Sequence, residues 1–219
     1  MDIQSHPDAT ADMRRLRIAF IIALSFALLL WMVKLAEYFG GLDFTQFGIY
    51  PRRADGLAGI LYAPFIHGSF AHLFANTTPI IVIGTMLLYG YPRAARVLLP
   101  VVYLGGGGAV WLFAREAYHI GASGLAFGML FFVFTVGALR WERRTLALSL
   151  VVFFLYGGMI QGVIPAARDV SFESHLSGAL IGIVLAFLLR HRDPEPPRKQ
   201  YSWEREEAEA DDYDWPDRL

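Results

Sequence analysis

"IGASGLAFGMLFFVFTVGAL", residues 120–139, runs for twenty residues without one charged side chain. A helix of that length covers about 30 Å, the thickness of a bilayer's hydrocarbon core. Five other stretches are comparably apolar, roughly 18–38, 70–88, 97–114, 145–164 and 172–190. Backbone groups in lipid have no water to bond, so each stretch must pair its own and is expected to be helical. The fold class that follows is an all-α membrane protein, a bundle of six transmembrane helices.

The whole chain agrees. Of its 219 residues 55% are hydrophobic and only 18% charged, and the charges gather in short clusters between the apolar runs. Mean hydropathy is +0.42, high for a water-soluble domain. A net charge of −1 argues against a nucleic-acid partner. The absence of cysteine excludes disulfides, a cysteine nucleophile and thiolate metal sites.

Arginine placement orients the spans. With the first residues inside, the inner segments carry Arg14, Arg15, Arg17, Arg93, Arg96, Arg140, Arg143, Arg144, Arg190 and Arg192, whereas the outer ones carry Arg52, Arg53, Arg115 and Arg168. That bias puts both termini in the cytoplasm. The first apolar run follows three arginines as a signal peptide would, but no small-residue cleavage site comes after it, so it is read as a retained span. No organellar presequence is recognisable, and a prokaryotic cytoplasmic membrane is expected. Residues 1–14 read as a disordered cytoplasmic segment and 15–191 as the six-span domain. The proline-rich, acidic stretch 192–219 reads as a disordered cytoplasmic tail. Residues 39–69 include "GLAGILYAPFIHGSF", too apolar for a solvated loop, and are expected to lie in the outer interface of the lipid bilayer.

Polar groups inside such spans are costly and therefore informative. They fall at the starts of spans two, four and six: His72, Asn76, Thr77 and Thr78; His119 and Ser123; His175 and Ser177. All three starts face outward, so the groups share one depth. A serine needs a base to become a nucleophile, and histidine is the usual one. Gly121, Gly124 and Gly128 in span four match the i, i+3, i+7 spacing of His175, Gly178 and Gly182 in span six. Facing glycines let two helices approach closely enough to join the Ser123 hydroxyl to the His175 imidazole. Such patterns also occur in plain helix packing, where Ser123 would be a packing serine. His72 and Asn76, four residues apart, point the same way and can donate to an oxyanion, with the backbone N–H of Ser123 adding a third donor. Asn76 alone would also serve as an interhelical clamp. The one acidic residue within spans two to six, Glu173 at the very start of span six, is on another face from His175, so the pair reads as a dyad. His67 and His119, at the outer interface, are read as histidines free to be solvated, with no catalytic role. The run Gly105 to Gly108 in span three reads as permission for tight helix crossing or a kink.

The combination H-x-x-x-N (His72, Asn76), G-x-S-G (Gly121 to Gly124) and H-x-x-G-x-x-x-G (His175, Gly178, Gly182) resembles the rhomboid family of intramembrane serine proteases, over roughly residues 15–190. The resemblance implies Ser123 as nucleophile and His175 as general base. It also implies an oxyanion hole of His72, Asn76 and the Ser123 N–H. Single-span membrane proteins would be the substrates, cut near the outer face, and neither a metal nor a cofactor is implied. Two departures stand out. The first outer loop lacks the Trp-Arg pair of many members, and Phe127 replaces a common tyrosine, with its ring expected to pack on His175. A catalytically inactive rhomboid-like adaptor would not need all four polar groups. A transporter using His72, His119 and His175 as a proton relay would need paired carboxylates that are absent.

Overall fold

A computed structural model describes residues 9–164 and 171–193. It contains helices α1 (Ala9–Gly40), α2 (Gly59–Tyr62), α3 (Phe70–Gly90), α4 (Pro92–Phe113), α5 (Ser123–Arg140), α6 (Arg143–Tyr156) and α7 (Phe172–Leu189). All but the short α2 are long and apolar enough to cross a membrane, with α6 counted together with the turns that extend it to Val163. The protein is an integral, multi-pass helical bundle.

The helix ends follow local chemistry. Ser69 caps α3 by accepting from the His72 amide at 3.0 Å. Pro92 opens α4 one residue after the α3 C-cap, where a missing N–H costs nothing. Trp141 closes α5 with a left-handed φ of 52°. α6 passes into seven residues of 3₁₀ helix, Gly157–Val163, a long run for that tight geometry, and Gly157, Gly158 and Gly162 fall in it.

α5 is the central element, with Ala126, Phe127, Met129, Leu130, Phe132, Val133 and Val136 all buried. α1 packs on α3, and α4, α6 and α7 surround α5. The α5–α7 seam is made of glycine. A Cβ on Gly178 would overlap the carbonyl oxygen of Gly124, and one on Gly182 that of Gly128. Main chain therefore lies directly on main chain. Gly137 does the same for α6, pressed against Ser149, whose hydroxyl donates to the Val133 carbonyl at 2.8 Å.

At the end of the bundle away from Ser123, the Asp193 carboxylate accepts from the Arg93 and Ala94 amides at 2.8 and 2.9 Å, two free donors in the first turn of α4. Arg140, in the last turn of α5, donates to the Arg190 and Asp193 carbonyls. This clasp joins α4, α5 and α7.

Several boundaries differ from the sequence reading. α1 begins by Ala9, so residues 9–14 are helical; Asp12 there accepts from the Tyr89 hydroxyl at 2.7 Å, which ties that turn to α3. Asp193 is buried, so the tail expected from 192 has a fixed first part; residues 1–8 and 194–219 lie outside the described residues. α5 starts at Ser123 and not at 120, because Gly121 takes a φ of +104° that no helix accommodates. Of the four glycines in α4, Gly107 meets Ile60 of α2 and Gly105 meets Ile181 of α7, whereas Gly106 and Gly108 have open space, and the helix runs through all four.

The segment between α1 and α3 is a folded unit. Gly59 packs on the Gly48 carbonyl, and Ile49 pairs with His119 through two backbone hydrogen bonds of 3.0 and 2.9 Å. A tryptophan does anchor it, from the other side: Trp111 of α4 donates to the Arg53 carbonyl at 2.8 Å and accepts the Arg52 amide, while the Arg52 guanidinium reaches the Ala114 carbonyl at 2.7 Å.

Candidate active site

Three helix starts converge beneath this folded segment. Ser123 is the first residue of α5 and His175 lies in the first turn of α7. The glycine seam brings them together, with His175 Nε2 and Ser123 Oγ 2.8 Å apart. His175 Nδ1 is 2.8 Å from the Gly162 carbonyl oxygen. A carbonyl only accepts, so the proton of the neutral ring sits on Nδ1 and Nε2 offers its lone pair to the serine hydroxyl. This is the orientation a general base needs. The Phe127 ring lies flat on the imidazole, with centroids 4.1 Å apart and planes 5° from parallel, and fixes the ring's plane.

Glu173 does not take part. Its carboxylate is bound to the Arg115 guanidinium at 3.1–3.2 Å, on the other side of the α7 terminus. The third partner of His175 is a backbone carbonyl, which carries no sequence signal.

α3 contributes the other two polar groups. Asn76 is buried and spends one amide hydrogen on the His72 carbonyl at 3.0 Å, which orients the carboxamide and leaves its second hydrogen uncommitted among the described residues. Gly121 departs from the expected helix face and does a different job. A Cβ there would lie 2.8 Å from the His72 ring and 3.9 Å from Asn76 Nδ2. Only a glycine lets the α3 donors approach the turn that leads into Ser123, and its φ of +104° independently favours glycine. Gly124 has a Ser174 backbone contact and Gly128 a Val102 contact, in addition to their places in the seam.

Two histidines read as solvated are buried instead: His67 is 1% exposed and His119 2%. The 41–69 segment folds over both, which terminal positions beside apolar spans did not signal. The His67 ring sits edge-on to that of His72, with centroids 5.0 Å apart, and neither of its nitrogens makes a hydrogen bond among the described residues. Burial pushes its pKa down to about 4, opposed weakly by the nearby Phe65 carbonyl. His119 also falls below the ordinary histidine value through burial, the Arg115 carbonyl and Glu173 opposing. Among the described residues, neither Ser177 nor Thr78 makes a hydrogen bond to the dyad. Thr77 is turned to α1, where Trp31 donates to it at 2.9 Å.

The rhomboid domain model matches residues 54–192, which include His72, Asn76, Ser123, Gly162 and His175. The chain belongs to the rhomboid family. An uncharacterized protein of Mycobacterium tuberculosis strain H37Rv is 37% identical over 197 residues, covering 85% of this chain and 80% of the relative. An uncharacterized protein of Mycobacterium leprae is 36% identical over 192 residues, covering 82% and 76%. The RHOMBOID-like protein 2 of Arabidopsis thaliana is 29% identical over 150 residues, covering 66% of this rhomboid chain and 44% of the plant protein. In this rhomboid the described residues contain no cluster of His, Asp and Glu able to hold a metal ion.

Proposed function

We propose that this rhomboid is an intramembrane serine endopeptidase that cuts single-span membrane proteins near the outer face of the bilayer. The observation that carries the reading is the 2.8 Å approach of His175 Nε2 to Ser123 Oγ, with the ring's other nitrogen committed to Gly162.

The Ser123 hydroxyl attacks the scissile carbonyl carbon, and its proton passes to His175 Nε2. Negative charge gathers on the carbonyl oxygen. The free amide hydrogen of Asn76, the His72 ring and the Ser123 N–H, at a helix start, stabilise it; one such donor is worth about 3–4 kcal/mol. His175 then protonates the departing amine as the C–N bond breaks. A water molecule, deprotonated by the same nitrogen, releases the acyl group from Ser123. The clustering of arginines at the other ends of the spans supports an outward-facing site and cytoplasmic termini.

The decisive experiment is reaction with a fluorophosphonate serine probe, together with cleavage of a single-span substrate in liposomes, for the parent and Ser123→Ala. Loss of both in a variant that folds normally supports the protease. A parent that takes no probe and cuts nothing returns the reading to an inactive adaptor.

A further inference from the structure

Resting on that reading, we infer that His119 is a positioning residue for the dyad: a buried, neutral imidazole that holds the start of α7, and with it His175, against the start of α5. The contacts are His119 Nε2 to the Arg115 carbonyl at 3.0 Å and His119 Nδ1 to Ser171 Oγ at 2.7 Å. Ser171 Oγ is in turn 2.7 Å from Ser174 Oγ and accepts the Ser174 amide at 3.3 Å.

The proton positions follow from what each atom is able to do. The Arg115 carbonyl only accepts, so Nε2 carries the hydrogen. Nδ1 of the neutral ring is then an acceptor, and Ser171 spends its single proton there. The two lone pairs of Ser171 remain for the Ser174 hydroxyl and the Ser174 amide. A hydroxyl donates once and accepts twice, so Ser171 is saturated and each bond has one polarity. Ser171 is the N-cap of α7, and its carbonyl accepts the His175 amide at 3.3 Å. Ser174 lies directly on Gly124, the residue after Ser123. His119 itself is fixed by its backbone pairing with Ile49, and Gly121 donates to the Ala63 carbonyl at 2.8 Å. The chain of contacts thus runs from the folded 41–69 segment, through His119 and the α7 cap, to both members of the dyad.

A proton on Nδ1 would reverse the network: Nδ1–H would donate to Ser171 Oγ, and the Ser171 hydrogen would turn to Ser174 Oγ. The surroundings oppose protonation. His119 is buried, and the charged groups facing it are Arg115 on its own turn and Glu173 on α7, already paired with each other. α4 presents Tyr103, Gly106, Gly107 and Val110 to the cavity of about 40 Å³ that His119 borders, and the 41–69 segment presents Ile49, Ile60, Ala63 and Pro64.

The test compares His119→Leu, which removes both bonds, with His119→Asn, which keeps an acceptor near the Nδ1 position and does not titrate. Expected is a roughly tenfold fall in kcat for His119→Leu with KM within twofold, most of it recovered in His119→Asn. In parallel, ring-nitrogen NMR of the parent should show His119 neutral with hydrogen on Nε2 at pH 7, and His119→Leu should move the His175 ring signals, which His119→Asn restores. Full kcat in His119→Leu, in a protein that Ser123→Ala silences, overturns the inference and spares the protease. Equal losses in both variants that track thermal unfolding also overturn it, as does hydrogen on Nδ1. If the parent cuts nothing, the NMR comparison decides the matter without reference to catalysis.

Discussion

The Gly162 carbonyl stands 2.8 Å from His175 Nδ1, where a carboxylate stands in a soluble Ser-His-Asp protease. It fixes the tautomer as a carboxylate would but brings no full charge to stabilise the imidazolium. The His175 ring and the turns beyond α6 are thereby physically joined.

Activity should rise with pH through the acid range, because the proposed mechanism needs a neutral His175 to accept the serine proton. It should level off above neutrality. A rate profile in liposomes from pH 4 to 9 checks this, and an optimum below pH 5 rules out a histidine base.

Asn76→Ala should lower kcat by roughly 10²–10³ with a much smaller change in KM, since its free hydrogen acts on charge that exists only in the transition state. A rise in KM alone would make Asn76 a substrate contact.

Gly178→Ala should cost both stability and activity, because the added methyl has to push the Gly124 carbonyl away and with it the α5–α7 seam. Gly106→Ala, with open space around it, should change neither. Thermal unfolding and cleavage assays on the two variants make the comparison, and equal behaviour would show that the seam does not set the dyad distance.

His67 should make the protein acid-sensitive. Its pKa is about 4 in the fold and near 6.5 in an unfolded chain, so the folded state binds its proton less readily. The resulting stability, about 3 kcal/mol, is complete above pH 6.5 and is lost as pH falls toward 4. Melting temperature should drop over that window in the parent and drop less in His67→Leu; parallel slopes would refute the assignment.

Substrate entry should require movement of α6 and the turns after it. The chain has no cysteine, so a pair placed at Thr78 and Tyr156, on α3 and at the end of α6, is the only thiol pair present. Bridging it with a short bifunctional reagent should block cleavage of a transmembrane substrate while Ser123 still takes the small fluorophosphonate. Unimpaired cleavage would place the entry elsewhere. Residues 165–170, which follow these turns, lie outside the described residues.

The spans and the four polar groups were legible for one reason: the bilayer tolerates so few polar side chains that Ser123, His175, His72 and Asn76 stand out against it. What stayed hidden depended on main chain or on distant packing. The Gly162 carbonyl has no residue type to announce it. Gly121 looked like one more helix-face glycine because periodicity does not reveal a φ of +104°. His67 and His119 lie at span ends, where solvent is the usual neighbour, and packing with 41–69, α4 and the α7 cap buries them. Asp193 sits at the edge of a proline-rich acidic run, and nothing local distinguishes it from its neighbours as the carboxylate that caps α4.

That cap has a mechanical consequence. Asp193 and Arg140 pin α4, α5 and α7 together at the ends remote from Ser123. Each helix is then a lever with its pivot at the clasp, and a tilt displaces residues in proportion to their distance from it. His175 is fourteen residues along α7 from Leu189, the last helical residue before the clasp, about 21 Å at helical rise. A tilt too small to disturb the pivot therefore moves the imidazole farther than its hydrogen bond to Ser123 tolerates. Tilting about the clasp would thus act most at the dyad end, where the glycine seam and the His119 contacts oppose it.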